Sequence, residues 1–186
     1  FLLFHGITGS STFESLTTKN FLTMKKMLLS ALALSTASFY YAQGTTNANT
    51  VTQSGNGNAS NVNQIGLSEK SWTTQSGVGN SSTVVQRHQL NENRTTQTGD
   101  NNTASTVQGG LTSWSNNSFV KQDQAGNSNA LSAMQTETYR NDIDQKQTGN
   151  SNTANATQFQ GSRMYIDQVQ TGNQNVANAS QTGNGL

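Results

Sequence analysis

The side chains most able to interact chemically in this sequence are primary amides. Asn and Gln supply 43 of its 186 residues. An amide has two donors and an acceptor with two lone pairs, so its chemistry is hydrogen bonding, and stacked amides can bond above and below without end. Their spacing is regular: Gln-x-Gly-x-x-Asn, with a second Gln six residues after the Asn, occurs six times. The first glutamines are Gln53, Gln75, Gln97, Gln124, Gln147 and Gln170. The glycines are Gly55, Gly77, Gly99, Gly126, Gly149 and Gly172, and the asparagines Asn58, Asn80, Asn102, Asn129, Asn152 and Asn175. The second glutamines are Gln64, Gln86, Gln108, Gln135, Gln158 and Gln181. Successive copies start 22, 22, 27, 23 and 23 residues apart, and the five-residue excess falls in the Gly/Ser/Asn stretch Gly109–Asn117, which is suited to a loop.

Groups for bond-making chemistry are sparse. There is no cysteine, and His88 is the only histidine of the repeat region. Asp142 and Asp144 lie two apart on one face of an expected strand, with no base, nucleophile or pocket beside them. They read as solvated charges that limit lateral sticking. The sequence therefore predicts no catalytic residues, no cofactor, no metal site and no enzyme. Hydrophobic residues make up 31% and charged residues 10%, too little oil for an ordinary core and too little charge for a charge-driven disordered chain.

The array follows a leader. Met24-Lys25-Lys26 opens a basic stretch, an apolar run from Met27 to Leu34 follows, and small residues lead to Ala42. This is the pattern of a signal peptide over 24–42, cleaved after Ala42, and its apolar run is too short to span a bilayer. Residues 1–23 read as a non-native upstream segment, 43–46 as a short mature N-terminus, and 47–186 as the repeat array, with repeats starting near 47, 69, 91, 118, 141 and 164. Gln43–Leu186 carries seven Lys+Arg and eight Asp+Glu. Such a chain has no basic patch for nucleic acid and no polybasic membrane anchor.

Numbering each unit from its first Gln as zero, offsets −4, −2 and 0 carry no charge. Offsets −5, −3 and −1 carry nine: Lys70, Glu92, Asp142, Arg94, Lys121, Asp144, Asp167, Asp123 and Lys146. Alternation with period two means strands, with the even offsets inward. Offsets +7, +9 and +11 repeat this with small residues, apolar residues and Gln. Gly-x-x-Asn is the arc between the two strands, because Gly accepts positive φ and Asn tolerates left-handed geometry. Proline is absent, as expected if rung N–H groups are needed in ladders. The expected fold is all-β, a β-solenoid of six stacked strand-arc-strand rungs with two glutamine columns and one arc-asparagine column. No capping segment is visible, so both end rungs are expected to present open edges that template another copy.

The unit Gln-x-Gly-x-x-Asn-x-Ala-x-x-x-Gln, clearest in Asn152–Gln158 and Asn175–Gln181, resembles the curlin repeat of bacterial curli fibres over about 47–186. The resemblance implies a secreted functional amyloid that polymerises at the bacterial cell surface, for biofilm matrix and adhesion. It also implies an outer-membrane export channel and a nucleator subunit as partners. The family's opening Ser is replaced by Asn47, Glu69, Asn91, Asn141 and Met164, with only Ser118 retained, and most of the family's segment between leader and first repeat is missing. One alternative is the minor, nucleating subunit of the same fibre. Another is an ice-binding solenoid, but its Thr rows (Thr52/Ser54, Thr74/Ser76, Thr96/Thr98) break at Asp123/Ala125. A polysaccharide-acting β-helix enzyme would need convergent carboxylates, which the scattered acids do not supply.

Overall fold

The computed structural model describes residues 37–43, 46–112 and 114–183. The upstream segment and most of the leader, through residue 36, lie outside the described residues. The described chain is strands and turns without a helix. β1 (Ala37–Gln43) precedes the array. Rung 1 is β2 (Ala48–Asn56) and β3 (Ala59–Leu67); rung 2 is β4 (Lys70–Val78) and β5 (Ser81–Gln89). Rung 3 is β6 (Glu92–Thr98) and β7 (Thr103–Gln108), followed by the short β8 (Ser115–Asn116). Rung 4 is β9 (Phe119–Ala125) and β10 (Ala130–Tyr139); rung 5 is β11 (Asp142–Thr148) and β12 (Thr153–Ser162). Rung 6 is β13 (Tyr165–Thr171) and β14 (Val176–Thr182).

The first strands of the rungs form one parallel sheet, β2-β4-β6-β9-β11-β13, and the second strands form the other, β3-β5-β7-β10-β12-β14. This is the β-solenoid that the repeat predicts. Its register is that of the repeat: Gln53 pairs with Gln75, Gln97 with Gln124, and Gln158 with Gln181. The insertion leaves that register intact. β7 stops at Gln108, and β8 then occupies the missing end of the row, its Asn116 paired with Gln89 on one side and Tyr139 on the other. The excluded loop is thus shorter than the sequence suggests, since Ser115 and Asn116 belong to the sheet.

Both ends of each flattened coil are built alike. At the arc, a left-handed residue such as Asn101, Ser128 or Ser151 precedes the arc Asn. At the link between rungs, Ser68, Leu90, Asn117, Arg140 and Arg163 are left-handed, each just before the residue six positions ahead of the first Gln. Gly99 shows why the arc needs glycine. Its φ is 105°, and a Cβ there would collide with the carbonyl oxygen of Gly126 on the next rung.

Charges and inner residues separate as the alternation predicts. None of the nine outward charges is buried, and Lys121 is tied to Asp123 at 3.0 Å and to Asp144 at 3.3 Å. The interior is thin and mixed: Val62, Val84, Val120, Ala133, Ile143, Ala156 and Ile166 are buried alongside most of the ladder glutamines.

In the uncleaved chain β1 pairs in parallel with β3, Ala37 opposite Ser60 and Phe39 opposite Val62, so the N-terminal edge of that sheet is covered. The physical reason is that a bare strand edge is a row of unpaired N–H and C=O groups, and nearby chain of β propensity fills it. Its residues 37–42 fall within the expected leader. The partner edge, β2, carries no strand among the described residues, and neither do β13 and β14.

Candidate functional site: amide columns and exposed rung edges

All eighteen predicted Gln and Asn residues stand in the predicted columns. In the first column Gln53 donates through Nε2 to Gln75 Oε1. The relay continues through Gln97, Gln124 and Gln147 to Gln170, at 2.5–3.4 Å. The second column runs the same way from Gln64 through Gln86, Gln108, Gln135 and Gln158 to Gln181, at 2.9–3.1 Å. The second amide proton of many of these glutamines crosses the coil to a strand-end carbonyl, as from Gln86 to Lys70 and from Gln97 to Ser81, both at 2.9 Å. The columns therefore tie the two sheets together as well as the rungs. A buried amide is costly unless bonded, and these are bonded nearly throughout.

The arc column runs in the opposite sense. Asn80, Asn102, Asn129, Asn152 and Asn175 each donate from both backbone N and Nδ2 to the Oδ1 of the preceding arc Asn, at 3.0–3.1 Å. Nδ2 of Asn102 also reaches the carbonyl of Gly126 at 2.7 Å. This contact joins the arc Asn to the arc Gly of the following rung, so the two positions act as one unit.

Sequence reasoning missed three further columns. Gln122, Gln145 and Gln168 form a third glutamine relay, at 3.1 and 2.7 Å. Asp100, Asn127, Asn150 and Asn173 each accept a backbone N–H from the preceding rung at the arc surface, at 2.8–2.9 Å. The third missed column is at the link. Asn47 accepts from Glu69 N at 2.9 Å, Glu69 from Asn91 N at 3.1 Å, and Asn91 from Ser118 N at 3.2 Å. Ser118 then accepts from Asn141 N at 3.4 Å, and Asn141 from Met164 N at 2.9 Å. The polar residue six before five of the six first glutamines, with Met164 the exception, was the available signal. These positions stood out only as departures from a family pattern, and the identities vary, whereas the arc asparagines do not.

Glu69 is the exception within this column. It is fully buried, and its carboxyl receives Asn91 N and Asn91 Nδ2. Burial pushes its pKa up to about 7, against the opposing pull of those two hydrogen bonds.

The first column ends in two complementary orphans. Each glutamine before the last donates toward the C-terminal rung, which leaves the acceptor Gln53 Oε1 unused at the first rung and the donor Gln170 Nε2 unused at the last. Both atoms are shielded from solvent, and both lie on strands that edge the same sheet. Elsewhere on the surface, Asp142 and Asp144 sit on the outward face of β11, and Arg94 stacks over Trp72 with its guanidinium 5.1 Å from the ring centre. No group of three or more His, Cys, Asp or Glu that could hold a metal occurs among the described residues. No helix among the described residues is long and apolar enough to cross a membrane. Comparison with protein-family models, curated proteins and solved structures finds no match to this chain.

Proposed function

We propose that this chain is a secreted structural subunit that assembles by rung-to-rung stacking into extracellular curli-like amyloid fibres at the bacterial cell surface, serving biofilm matrix and adhesion. The observation that carries the assembly reading is the pair of complementary orphans, an acceptor at Gln53 and a donor at Gln170. A shielded unpaired amide is unfavourable, and a second copy relieves both ends in one contact. β13 of one copy then lies beside β2 of the next with Gln170 opposite Gln53 and Tyr165 opposite Ala48. This repeats the register found inside the chain and makes a polar, head-to-tail filament. Cleavage after Ala42 would strip residues 37–42 from β3 and expose that edge too, so that β14 can add to it. The curlin resemblance supports the setting: export through an outer-membrane channel, a nucleator as partner, and fibres on the cell surface.

The test is assembly of the purified chain beginning at Gln43. The reading expects a lag, then thioflavin-positive fibres with a meridional reflection near ~4.7 Å, with seeds shortening the lag. Gln53→Ala and Gln170→Ala should each slow seeded elongation while leaving the folded monomer in place. Protein that stays monomeric with its rungs folded overturns the polymer reading. Equal elongation rates for both variants and the parent overturn the proposed contact.

A further inference from the structure

Glu69 stands where the neighbouring rungs place Asn47 and Asn91, in the link column that closes rungs 1 and 2. A carboxylate there is charged, fully buried and hydrogen-bonded only by a neutral partner, Asn91. A protonated carboxyl is neutral, with one O–H donor and remaining acceptor capacity for the two Asn91 donors, and so avoids a buried charge in a column of neutral amides. Rung 1 faces it with neutral Asn47 and rung 3 with neutral Asn91. The ionisable groups on the packed elements are Lys70, the next residue in the chain, exposed at the start of β4; Arg87 and His88 at the end of β5; and Glu92 at the start of β6. Burial, rather than any of these charges, dominates its titration. The arc column at the opposite end of the coil is all asparagine and has nothing to titrate.

We propose that Glu69 is a proton-controlled latch on the N-terminal rungs: protonated, it lets the link column close over rungs 1 and 2, and ionised, it loosens them and with them the β2 edge. The latch itself is a property of the single chain. Its effect on fibre growth rests on the head-to-tail assembly proposed above, because β2 is the acceptor edge of that contact. The direction follows from linkage. The unfolded carboxyl titrates near its ordinary 4.5 and the folded one near 7. Closure therefore takes up a proton between those values, and the stability of the closed rungs falls as pH rises through that window and levels off above it.

Hydrogen exchange on the full chain tests the latch, with Glu69→Gln and Glu69→Asn as variants. The amides to follow are Lys70 N, which bonds the Asn91 carbonyl at 2.9 Å, and Asn91 N; Thr153 N, in rung 5, is the reference. After correction for intrinsic exchange, opening at Lys70 and Asn91 should rise by up to tenfold per pH unit between 4.5 and 7, about 300-fold in all. Thr153 should lack the Glu69-dependent rise, so its profile should be the same in the parent and in both variants, and the variants should lose the rise at Lys70 and Asn91. Seeded growth of the parent should slow from pH 5 to pH 8, while growth of Glu69→Asn should not. A parent slope equal to that of both variants, or no slope, overturns the latch. The exchange arm decides this even if no fibre forms, and fibre failure by itself counts against the assembly reading only.

Discussion

Rungs 1–3 and rungs 4–6 share one backbone coil and the same buried glutamine and arc-asparagine columns, yet the rest of their interiors differs. At offset −4 the first half places Asn49, Ser71 and Asn93, and the second half Val120, Ile143 and Ile166. At offset −2 the first half has Val51, Thr73 and Thr95, and the second half the third glutamine relay. The consequence shows in the polar accounting. Asn49 Oδ1, Ser60 Oγ, Ser71 Oγ, Thr73 Oγ1, Ser82 Oγ and Asn93 Oδ1 are buried without a partner in the first half. Among the described residues, rungs 4 and 5 have no such atom on their strands, and their Val120, Ala133, Ile143 and Ala156 form one apolar cluster with Ile166. Each orphan costs about 1–3 kcal/mol where it is fully shielded. The fold's register therefore lives in the columns that run through both halves, and its stability is concentrated in the second.

The sharpest way to break that contrast is to remove apolar volume from the stable half. Ile143→Ala should cost about 2–5 kcal/mol, read as a fall in the denaturant midpoint. A smaller loss than that of Val84→Ala would refute the assignment of stability to rungs 4–6. Next in size is pH. Glu69 adds to the weakness of the first half as its carboxyl ionises. The full difference between 4.5 and 7 corresponds to at most about 3 kcal/mol, so the unfolding temperature should be highest at acid pH and fall toward neutrality, most steeply in the N-terminal rungs; partial burial also raises the Asp142 carboxyl of rung 5 above its ordinary value, which gives a decline of the same sign there. Smaller still, Thr73→Val keeps the shape and deletes an orphan hydroxyl. It should stabilise the first half by about 1 kcal/mol, raising the midpoint, and a fall would show that the hydroxyl has a partner in solution. The smallest effect belongs to the loop outside both halves. Trp114→Ala, at an exposed site, should leave stability within about 0.5 kcal/mol.

Much of this was legible in the sequence because period two and period 22–27 are both one-dimensional. Charge at odd offsets fixed which way Lys121 and Asp144 point, and recurrence of Gln53 through Gln170 fixed what lies above what, since a parallel stack converts equal spacing into contact. The arc was readable because Gly99 and Asn102 have backbone demands that few other residues meet. The link was not readable. It performs the same turn with Ser68, Leu90, Asn117, Arg140 and Arg163, left-handed residues held by the surrounding ladder rather than by their own preference. The column it carries mixes Asn, Glu and Ser.

By itself, then, the sequence determined the rung, the register and the amide columns, because a short repeat stacked on itself leaves few alternatives. Only the tertiary structure decided that Glu69 is sealed inside, that β1 covers β3, and that the orphans at Gln53 and Gln170 are of opposite kind. Burial, edge occupancy and the direction of a hydrogen-bond relay arise from the assembled coil, and no single repeat contains them.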